Sequence, residues 1–309
     1  MSILEHQFIP YRVEYRLGRG RVLVFAPHPD DEVLGCGGAI MRHVAGQDPV
    51  RVILCTDGAL GLPPDHPPPI ETRRQESRAA AQVLGYGEPI FWDWPDRGLI
   101  YGEPLIAQIQ EAIADWPADL VYAPSCWEVH PDHLNLALAC AEAIRRCERP
   151  IQLVFYEVGV PLWPNLLLDI TDLSARKKQA LECFASQMLQ QDYSRQIAGL
   201  NAFRSYTLGP EVKAAEGYRV LSREALNAPP WDRLRLDSEE GLKDLAESLR
   251  LPCPPAEGAA SSVPQLALRL EVQRLERELA AIRGSTSWRL TAPLRWLKRA
   301  LSNRSRMGR

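Results

Sequence analysis

A short apolar segment that ends abruptly in charged residues constrains this chain more than any other feature. Residues 22–26 read Val-Leu-Val-Phe-Ala, a run that is rich in branched side chains and lacks the alternation of a half-exposed strand. We therefore predict a fully buried strand, which is typical of a parallel sheet. The next residues are Pro27-His-Pro-Asp-Asp-Glu32. These charged groups must lie past the carboxyl end of the strand, at the edge where open α/β sheets bind ligands.

One imidazole and three carboxylates share the turn after this strand. The carboxylates of Asp30, Asp31 and Glu32 repel one another unless a cation lies among them. The simpler alternative is a polar turn in which Asp30 or Asp31 caps the next helix. A second group, His130-Pro-Asp-His133, follows another apolar segment at residues 119–124. Because one loop rarely surrounds an ion, two such loops together predict a metal site.

The types of ligand in these loops favour a catalytic metal over a structural one. Zn²⁺ held by two His and one carboxylate keeps a fourth position open to water, whereas structural zinc sites are closed, usually by Cys. The chain has seven Cys but no CxxC pair. Fe²⁺ and Co²⁺ are accepted by the same ligand types, so these residues leave the choice of metal open.

Composition and charge limit the classes of partner and location. A formal net charge of −3 gives no case for a nucleic-acid partner. The odd, irregularly spaced set of Cys suggests reduced thiols and a cytoplasmic protein. The N-terminus lacks the features of a signal peptide, and no apolar stretch reaches the ~20 residues that span a bilayer. The oligomeric state stays open.

Segments typical of strands and helices alternate from residue 21 to about residue 160. This rhythm predicts an α/β fold, a Rossmann-like three-layer sandwich with a mostly parallel sheet. The predicted strands are residues 22–26, 50–55, 89–92, 120–123, 152–156 and 166–170. The predicted helices are residues 31–45, 71–84, 104–114, 131–146 and 173–186.

The C-terminal part of the chain has a different character. We predict a catalytic domain at residues 1–224, a linker at 225–262 and a helical extension at 263–309. Apolar residues at alternating spacings of four and three begin this extension, and residues 283–309 contain no acidic residue but include two Trp. A basic amphipathic segment fits an anionic membrane surface, so peripheral contact with the inner face of the membrane is one option. Docking of a partner protein and a solvated tail are the others.

With both motifs placed, residues 20–220 resemble the PIG-L/LmbE-like family of zinc-dependent N-deacetylases. The two principal motifs are Pro27-His-Pro-Asp-Asp-Glu32 and His130-Pro-Asp-His133, each after a predicted strand. Shorter stretches of similarity are Thr56-Asp-Gly58, Arg73-Arg-Gln-Glu76, Pro95-Asp-Arg-Gly98, Tyr156-Glu-Val158, Asp169-Ile-Thr171 and Ser186-Gln187.

The resemblance implies a set of metal ligands and a general base. The implied ligands of Zn²⁺ are His28, Asp31 and His133, and the implied base is Asp30. The residues themselves allow Asp30 and Asp31 to exchange these roles, and only the family pattern assigns them. A carboxylate beside an activated water can accept its proton, which is consistent with either assignment.

The resemblance also implies roles for four further residues. His130 would stabilise the oxyanion and protonate the leaving amine, and Asp132 would orient the His130 imidazole. An imidazolium held by a carboxylate can perform both tasks. Arg73 and Asp96 are similar to residues that contact the substrate. A solvated helix position for Arg73 and a turn-forming role for Asp96 are the simpler alternatives.

The reaction implied by the resemblance is removal of an acetyl group from an N-acetylated amino sugar by metal-activated water. The substrate would be a glycoconjugate of the N-acetylglucosamine type. Residues 285–294 are similar to a segment of bacterial glycan-assembly enzymes, which favours surface-glycan or glycolipid synthesis. One alternative is the same mechanism on another N-acyl substrate, such as an antibiotic or a thiol conjugate. The other is a non-catalytic envelope-assembly module, which the complete set of motif residues argues against.

Overall fold

An eight-stranded sheet runs through the part of the chain that the structure describes. This computed structural model describes residues 13–60, 70–189, 191–228 and 231. All of them lie within one compact unit that spans residues 9–253. The predicted extension at residues 263–309 and nearly all of the predicted linker lie outside the described residues, so these domain boundaries stay predictions.

Strands and helices alternate along most of this unit. The strands are β1 (Val13–Glu14), β2 (Val22–Ala26), β3 (Val50–Thr56), β4 (Ile90–Trp94), β5 (Leu120–Pro124), β6 (Gln152–Tyr156), β7 (Leu166–Asp169) and β8 (Ala215–Leu221). The helices are α1 (Asp31–Ala45), α2 (Ile70–Leu84), α3 (Glu103–Asp115), α4 (Pro131–Arg146), α5 (Ser174–Glu182), α6 (Ala185–Met188), α7 (Tyr193–Arg204) and α8 (Arg223–Leu226). Among the described helices, none is both long and apolar enough to cross a membrane.

The strand order of the sheet is β1-β7-β8-β6-β5-β2-β3-β4. Strands β2, β3, β4, β5 and β6 run parallel to one another. Strand β8 lies between β6 and β7 and is antiparallel to both. The chain builds outward from β2 through β3 to β4, and then returns to place β5 on the other side of β2. The pair β2–β5 is therefore the topological switch point, where α/β sheets open a crevice.

Burial of β2 on both faces explains its continuous apolar sequence. All five of its residues are buried. Leu23 and Phe25 belong to the hydrophobic cluster that includes α3 and α4, while Val22 and Val24 belong to the cluster that includes α1, α2 and α5. Helices therefore cover both faces of the sheet, and the predicted three-layer α/β sandwich is confirmed.

The helix α1 is interrupted within its first two turns. Cys36 leaves the helical conformation, with φ −141° and ψ 22°. The backbone N–H groups of Gly38 and Ala39 donate to the carboxylate of Glu216 at 2.7 and 2.9 Å. A Cβ on Gly35 would lie 2.1 Å from the Tyr156 ring. The glycines thus permit α1 to approach the sheet closely, which fixes the position of its first turn.

The predicted elements differ from those of the structure in several places. The predicted helix at residues 173–186 is divided into a 3₁₀ turn at Thr171–Leu173 and the helices α5 and α6. Strand β8 was not predicted, because charged residues such as Glu216 interrupt its apolar pattern although that side chain is buried. The short strand β1 and the helices α7 and α8 were also not predicted.

Candidate metal centre and active site

The two motif loops leave the sheet side by side. The loop at residues 27–30 joins β2 to α1, and the loop at residues 125–130 joins β5 to α4. Because β2 and β5 are adjacent and parallel, both loops emerge at the same edge of the sheet. The structure therefore brings the two groups of polar residues together, although about a hundred positions separate them in the sequence.

Three side-chain atoms form a compact triangle at this edge. The Oδ2 atom of Asp31 lies 3.0 Å from Nδ1 of His28 and 3.1 Å from Nε2 of His133, and the two ring nitrogens are 3.3 Å apart. A tetrahedral Zn²⁺ with bonds of about 2.0–2.1 Å holds its ligand atoms roughly 3.3 Å apart. Two ring nitrogens cannot both direct a hydrogen at each other, but both can direct a lone pair at one cation. The donor set therefore fits a divalent metal.

Each of the two imidazoles also has a carboxylate near its outer nitrogen. The Nε2 atom of His28 lies 3.1 Å from Oδ2 of Asp132 and 3.4 Å from Oδ1 of Asp96. The Nδ1 atom of His133 lies 3.6 Å from Oε2 of Glu128. Carboxylates behind metal-binding imidazoles are common, because they fix the tautomer and strengthen the ligand. This second set of contacts gives independent support for a metal at the triangle.

The charges of the triangle depend on one another. Burial lowers the pKa of His28, but hydrogen bonds to Asp132 and Asp31 outweigh this effect and raise that pKa well above its usual value. Burial opposes ionisation of Asp31, yet His133 and His28 hold the pKa of that carboxyl far below its usual range. Without a metal, the carboxylates of Asp31 and Asp132 thus favour the charged form of the His28 imidazole.

Asp30 lies next to the triangle but has a different environment. It precedes α1 with φ 119°, and its side chain makes no capping hydrogen bond. Its own N–H donates to Oε2 of Glu32 at 3.1 Å. Burial raises the pKa of the Asp30 carboxyl; the Arg73 guanidinium works against that rise, and the Asp31 charge adds to it. The geometry places Asp31 with the imidazoles and Asp30 outside their triangle, with its Oδ2 3.5 Å from Nη2 of Arg73.

His130 immediately precedes α4, and its ring lies against the triangle. Its ring centroid is 4.6 Å from that of His28 and 5.3 Å from that of His133. Its Nδ1 accepts a hydrogen bond from the backbone N–H of Asp132 at 3.2 Å. The neutral ring therefore carries its proton on Nε2. Burial lowers the pKa of His130, and positive charge on His28 and His133 lowers it further. His130 is thus suited to donate a hydrogen bond as a neutral imidazole.

The structure gives Asp132 a different contact from the one expected. Its carboxylate does not hold the His130 ring: it lies against His28 and accepts from the backbone N–H groups of Arg97 and Leu99 at 2.7 and 3.1 Å. Only the backbone N–H of Asp132 contacts His130. The reason is that two backbone N–H groups of the loop after β4 hold this carboxylate beside His28.

Arg73 and Asp96 both line the site, but with supporting contacts. Arg73 is 2% exposed, and its Nη2 donates to the Pro29 carbonyl and lies 3.5 Å from Oδ2 of Asp30. Asp96 accepts from the Leu60 N–H at 3.0 Å in addition to facing His28. The contacts that the structure shows hold the motif loop and the imidazole, so a role in binding substrate stays a prediction for both.

Two other sets of possible ligands occur in the described part of the chain. His28, His130 and His133 have candidate atoms within 4.8 Å of one another, as do His28, Asp96 and Asp132. The triangle that includes Asp31 is tighter, with no edge longer than 3.3 Å. In addition, Nδ1 of His130 already accepts from the backbone. We therefore assign the candidate metal position to the triangle.

Sequence reasoning did not select Glu128 as part of the site. This carboxylate is 2% exposed and accepts from the backbone N–H groups of Val158, Gly159 and Val160. It thereby joins the loop before α4 to the loop after β6, directly behind His133. Its position two residues before His130 is the one feature of the sequence that could have indicated a place in the site. Its hydrogen-bond partners lie about thirty residues later in the chain, so the sequence does not show the contact.

An open cleft of about 370 Å³ exposes this group of residues, and we call it the catalytic cleft. Its volume is within the range of sites for small ligands. Besides the residues described above, it is lined by Leu34, Gly58, Leu60, Arg97, Val129, Val158, Gly159, Gln187 and Tyr193. Residues 61–69, which lie between β3 and α2, are outside the described residues.

Comparison with known proteins identifies relatives of this arrangement. Residues 23–144 match the family PIG-L, described as GlcNAc-PI de-N-acetylase. A Thermococcus kodakarensis protein named "Diacetylchitobiose deacetylase" is 29% identical over 206 residues, which are 58% of this chain and 76% of that protein. A Bacillus anthracis protein named "Probable N-acetyl-alpha-D-glucosaminyl L-malate deacetylase 2" is 27% identical over 186 residues, covering 54% of this chain and 80% of the relative.

The fold has also been observed in a solved structure. The N,N'-diacetylchitobiose deacetylase from Pyrococcus horikoshii, in complex with an inhibitor, matches with a TM-score of 0.62 and 23% sequence identity. The match covers 70% of this chain and 88% of that one. At this level of identity the likeness concerns the fold, because one fold supports many reactions.

Proposed function

We propose that this protein, whose residues 23–144 match the PIG-L family, is a metal-dependent hydrolase that removes the acetyl group from an N-acetylated amino sugar. The observation that carries the proposal is the triangle of His28, Asp31 and His133, open to a cleft in which Asp30 and His130 stand beside it. Zn²⁺ is the metal we propose first, and Fe²⁺ and Co²⁺ suit the same ligands.

The relatives supply the class of substrate. Those compared above are named for the deacetylation of N-acetylated sugars or sugar conjugates. A site for the amide of an amino sugar must place its reactive residues next to a small acyl group and must also accommodate the polar sugar ring. The open catalytic cleft, with its several carboxylates and one buried guanidinium, supports such a substrate.

The proposed mechanism divides the work among the residues of the cleft. A divalent metal, when bound by the triangle, supplies a Lewis acid that polarises the acetyl carbonyl and acidifies the attacking water. Asp30 accepts the proton of that water, since its carboxylate is not engaged in capping. The N–H at Nε2 of His130 donates to the oxyanion of the tetrahedral intermediate.

In this proposal, Asp30 and not His130 supplies the proton for the leaving amine. His130 is neutral in the geometry observed, because its Nδ1 accepts from the backbone. Giving up its only ring proton would leave an imidazolate, which is unfavourable. Asp30, once protonated, can deliver its proton to the nitrogen as the C–N bond breaks, and this releases acetate and the free amine. The proposed role of His130 is therefore oxyanion stabilisation, and we propose Asp30 as both base and acid.

The test of the proposed function is a direct assay for released acetate. The protein is stripped of metal, loaded separately with Zn²⁺, Co²⁺ or Fe²⁺, and incubated with N-acetylglucosamine, its methyl glycoside, N,N'-diacetylchitobiose and the N-acetylglucosaminyl conjugates of malate and inositol. We expect acetate release from at least one of these compounds, dependent on the metal. Bound metal without acetate release from any of them would contradict the proposal.

A further inference from the structure

A cavity of about 410 Å³ lies between α5 and α7, apart from the catalytic cleft. We call it the lysine cavity, after the three lysines that line it, which are Lys177, Lys178 and Lys213. Among the described residues, none lines both this cavity and the catalytic cleft. In the sheet, β8, β6 and β5 separate β7, the strand before α5, from β2. The lysine cavity is therefore a separate candidate for ligand binding.

These three lysines are all the lysines in the part of the chain that the structure describes. The other two of the sequence, Lys243 and Lys298, lie outside the described residues. Every remaining residue of the Lys/Arg type in the described part is an arginine. A lysine ammonium binds phosphate as a compact point charge, without the fixed fork of a guanidinium. Their occurrence around one cavity, in a chain that otherwise uses arginine, indicates a site for an anion.

The positive charge around the lysine cavity is only partly compensated. The buried ammonium of Lys177 pairs with the Glu216 carboxylate at 2.6 Å. Lys178 has a more distant partner, with its Nζ 3.8 Å from Oε1 of the exposed Glu182. Lys213 is exposed and forms no ion pair with a described residue, because its ammonium donates to a backbone carbonyl. No carboxylate of the described residues lines the cavity. About two positive charges thus remain for an occupant, which matches a phosphate monoester at neutral pH.

A buried amide provides a second, independent indication of a ligand. Asn201 lines the cavity from α7 and is 6% exposed, yet its side chain has no hydrogen-bond partner among the described residues. A polar group that is buried and unpaired costs free energy, which a bound acceptor would recover. Thr171 also lines the cavity, and its hydroxyl oxygen accepts from the Lys213 N–H at 2.9 Å, which leaves its own proton for another acceptor. Phosphate oxygens can accept from both side chains.

The size of the lysine cavity indicates a ligand larger than an inorganic ion. Its volume of about 410 Å³ is within the range of small-molecule sites. Leu181, Ile197 and Ala198 form an apolar part of its wall. The carbon skeleton of an ester can pack against these side chains while its phosphate group contacts the ammonium groups and the amide.

We infer that the lysine cavity binds a small phosphate monoester, held by Lys178, Lys213 and Asn201. This ligand is distinct from the substrate of the catalytic cleft, and the inference does not depend on which reaction the cleft performs. Lys177 connects the cavity to α1, because its ammonium also donates to the Leu34 carbonyl at 2.9 Å. The ligand would therefore join α5 and α7 beside the ion pair that supports α1.

The experiment is calorimetric titration of the zinc-loaded protein with glucose 6-phosphate, glycerol 3-phosphate and inorganic phosphate, with glucose as the neutral comparison. We expect at least one phosphate monoester to bind and glucose not to bind. Asn201→Leu and Lys213→Gln, the second at an exposed position, should each weaken this binding roughly tenfold, because each removes a hydrogen bond to a charged ligand. The matched control is Arg195→Gln, which removes the same charge from an exposed position of α7 that does not line the cavity. It should leave the affinity unchanged.

A second variant distinguishes the lysine cavity from a phosphate bound at the metal. His133→Ala removes a candidate metal ligand and should retain the affinity for the monoester. Loss of binding in that variant, or displacement of the monoester by N-acetylglucosamine, would place the phosphate in the catalytic cleft and overturn the inference. Failure of both monoesters to bind, unchanged affinity in both cavity variants, or equal weakening in Arg195→Gln would also overturn it. These measurements do not involve acetate release, so failure of this site and failure of the proposed function are distinguishable.

Discussion

Asp30 has a backbone conformation that few residues other than glycine adopt. A φ of 119° costs a non-glycine residue on the order of 1–3 kcal/mol. The surrounding contacts maintain it: the Arg73 guanidinium donates to the Pro29 carbonyl, and the Glu32 carboxylate accepts the Asp30 N–H. The conformation allows Asp31 to face the imidazoles while Asp30 stays out of their hydrogen-bonding triangle. Two adjacent carboxylates thereby obtain different surroundings.

At the residue scale, the first prediction concerns Asp30. Asp30→Asn keeps the size of the side chain but cannot accept a proton, so we expect kcat to fall by roughly 10²–10⁴. The triangle is not altered, and zinc content measured by elemental analysis should stay the same. Arg73→Lys serves as a comparison, because it changes the support of the turn but retains the Asp30 carboxylate. Full activity in Asp30→Asn would exclude it as the base.

A second residue-scale prediction concerns Glu128, which sequence reasoning missed. Its Oε2 lies 3.6 Å from Nδ1 of His133. Glu128→Gln removes the negative charge behind this imidazole, and we expect metal affinity to fall by about 10–100-fold. A competition assay with a zinc-sensitive dye measures the change. The matched control is Glu142→Gln, a buried carboxylate on α4 that pairs with Arg145 and Arg146. An equal loss of zinc affinity in both variants would assign the effect to general destabilisation.

At the element scale, a buried ion pair supports the broken helix α1. The ammonium of Lys177 on α5 lies 2.6 Å from the Glu216 carboxylate and donates to the Leu34 carbonyl at 2.9 Å. The same carboxylate accepts from the N–H groups of Gly38 and Ala39 after the interruption at Cys36. The Glu216 side chain of β8 thus accepts hydrogen bonds from backbone N–H groups next to the break in α1.

This network leads to a prediction about stability. Glu216→Gln would leave the Lys177 ammonium buried without its counterion, and Lys177 is 3% exposed. We expect the free energy of unfolding to fall by about 3 kcal/mol. The control, Glu182→Gln, breaks an exposed pair with Lys178 on the same helix and should cost less than about 1 kcal/mol. Urea denaturation followed by circular dichroism measures both, and similar losses in the two variants would contradict the role of the buried pair.

At the scale of the whole molecule, one metal would join the two loops that the switch point brings together. A ligand that binds only the folded state stabilises it, by about 2.7 kcal/mol at a free concentration 100 times its Kd. We therefore expect Zn²⁺ to raise the Tm of the metal-free protein by roughly 5–10 °C. Differential scanning calorimetry before and after chelation measures this shift. His133→Ala should lose most of it, and an undiminished shift in that variant would place the stabilising metal elsewhere.

The sequence alone determined the type of fold and the location of the site. Strands β2 and β6 and helices α1 and α4 have the bounds that were predicted, because a buried parallel strand has a continuous apolar run and an amphipathic helix has a clear period. The charges that follow β2 and β5 could lie only at the carboxyl edge of the sheet. The resemblance to the PIG-L family then supplied the expected roles of the motif residues, and residues 23–144 match that family.

The contacts between distant residues were decided only by the tertiary structure. The carboxylate of Asp132 lies against His28 and not His130, and Glu128 lies behind His133. Strand β8 was not predicted because its buried Glu216 carboxylate binds α1, nearly 180 positions earlier in the chain. Local sequence patterns report how a segment meets the core and the solvent. They do not report which side chains from separate loops meet, since that depends on the order and direction of every strand between them.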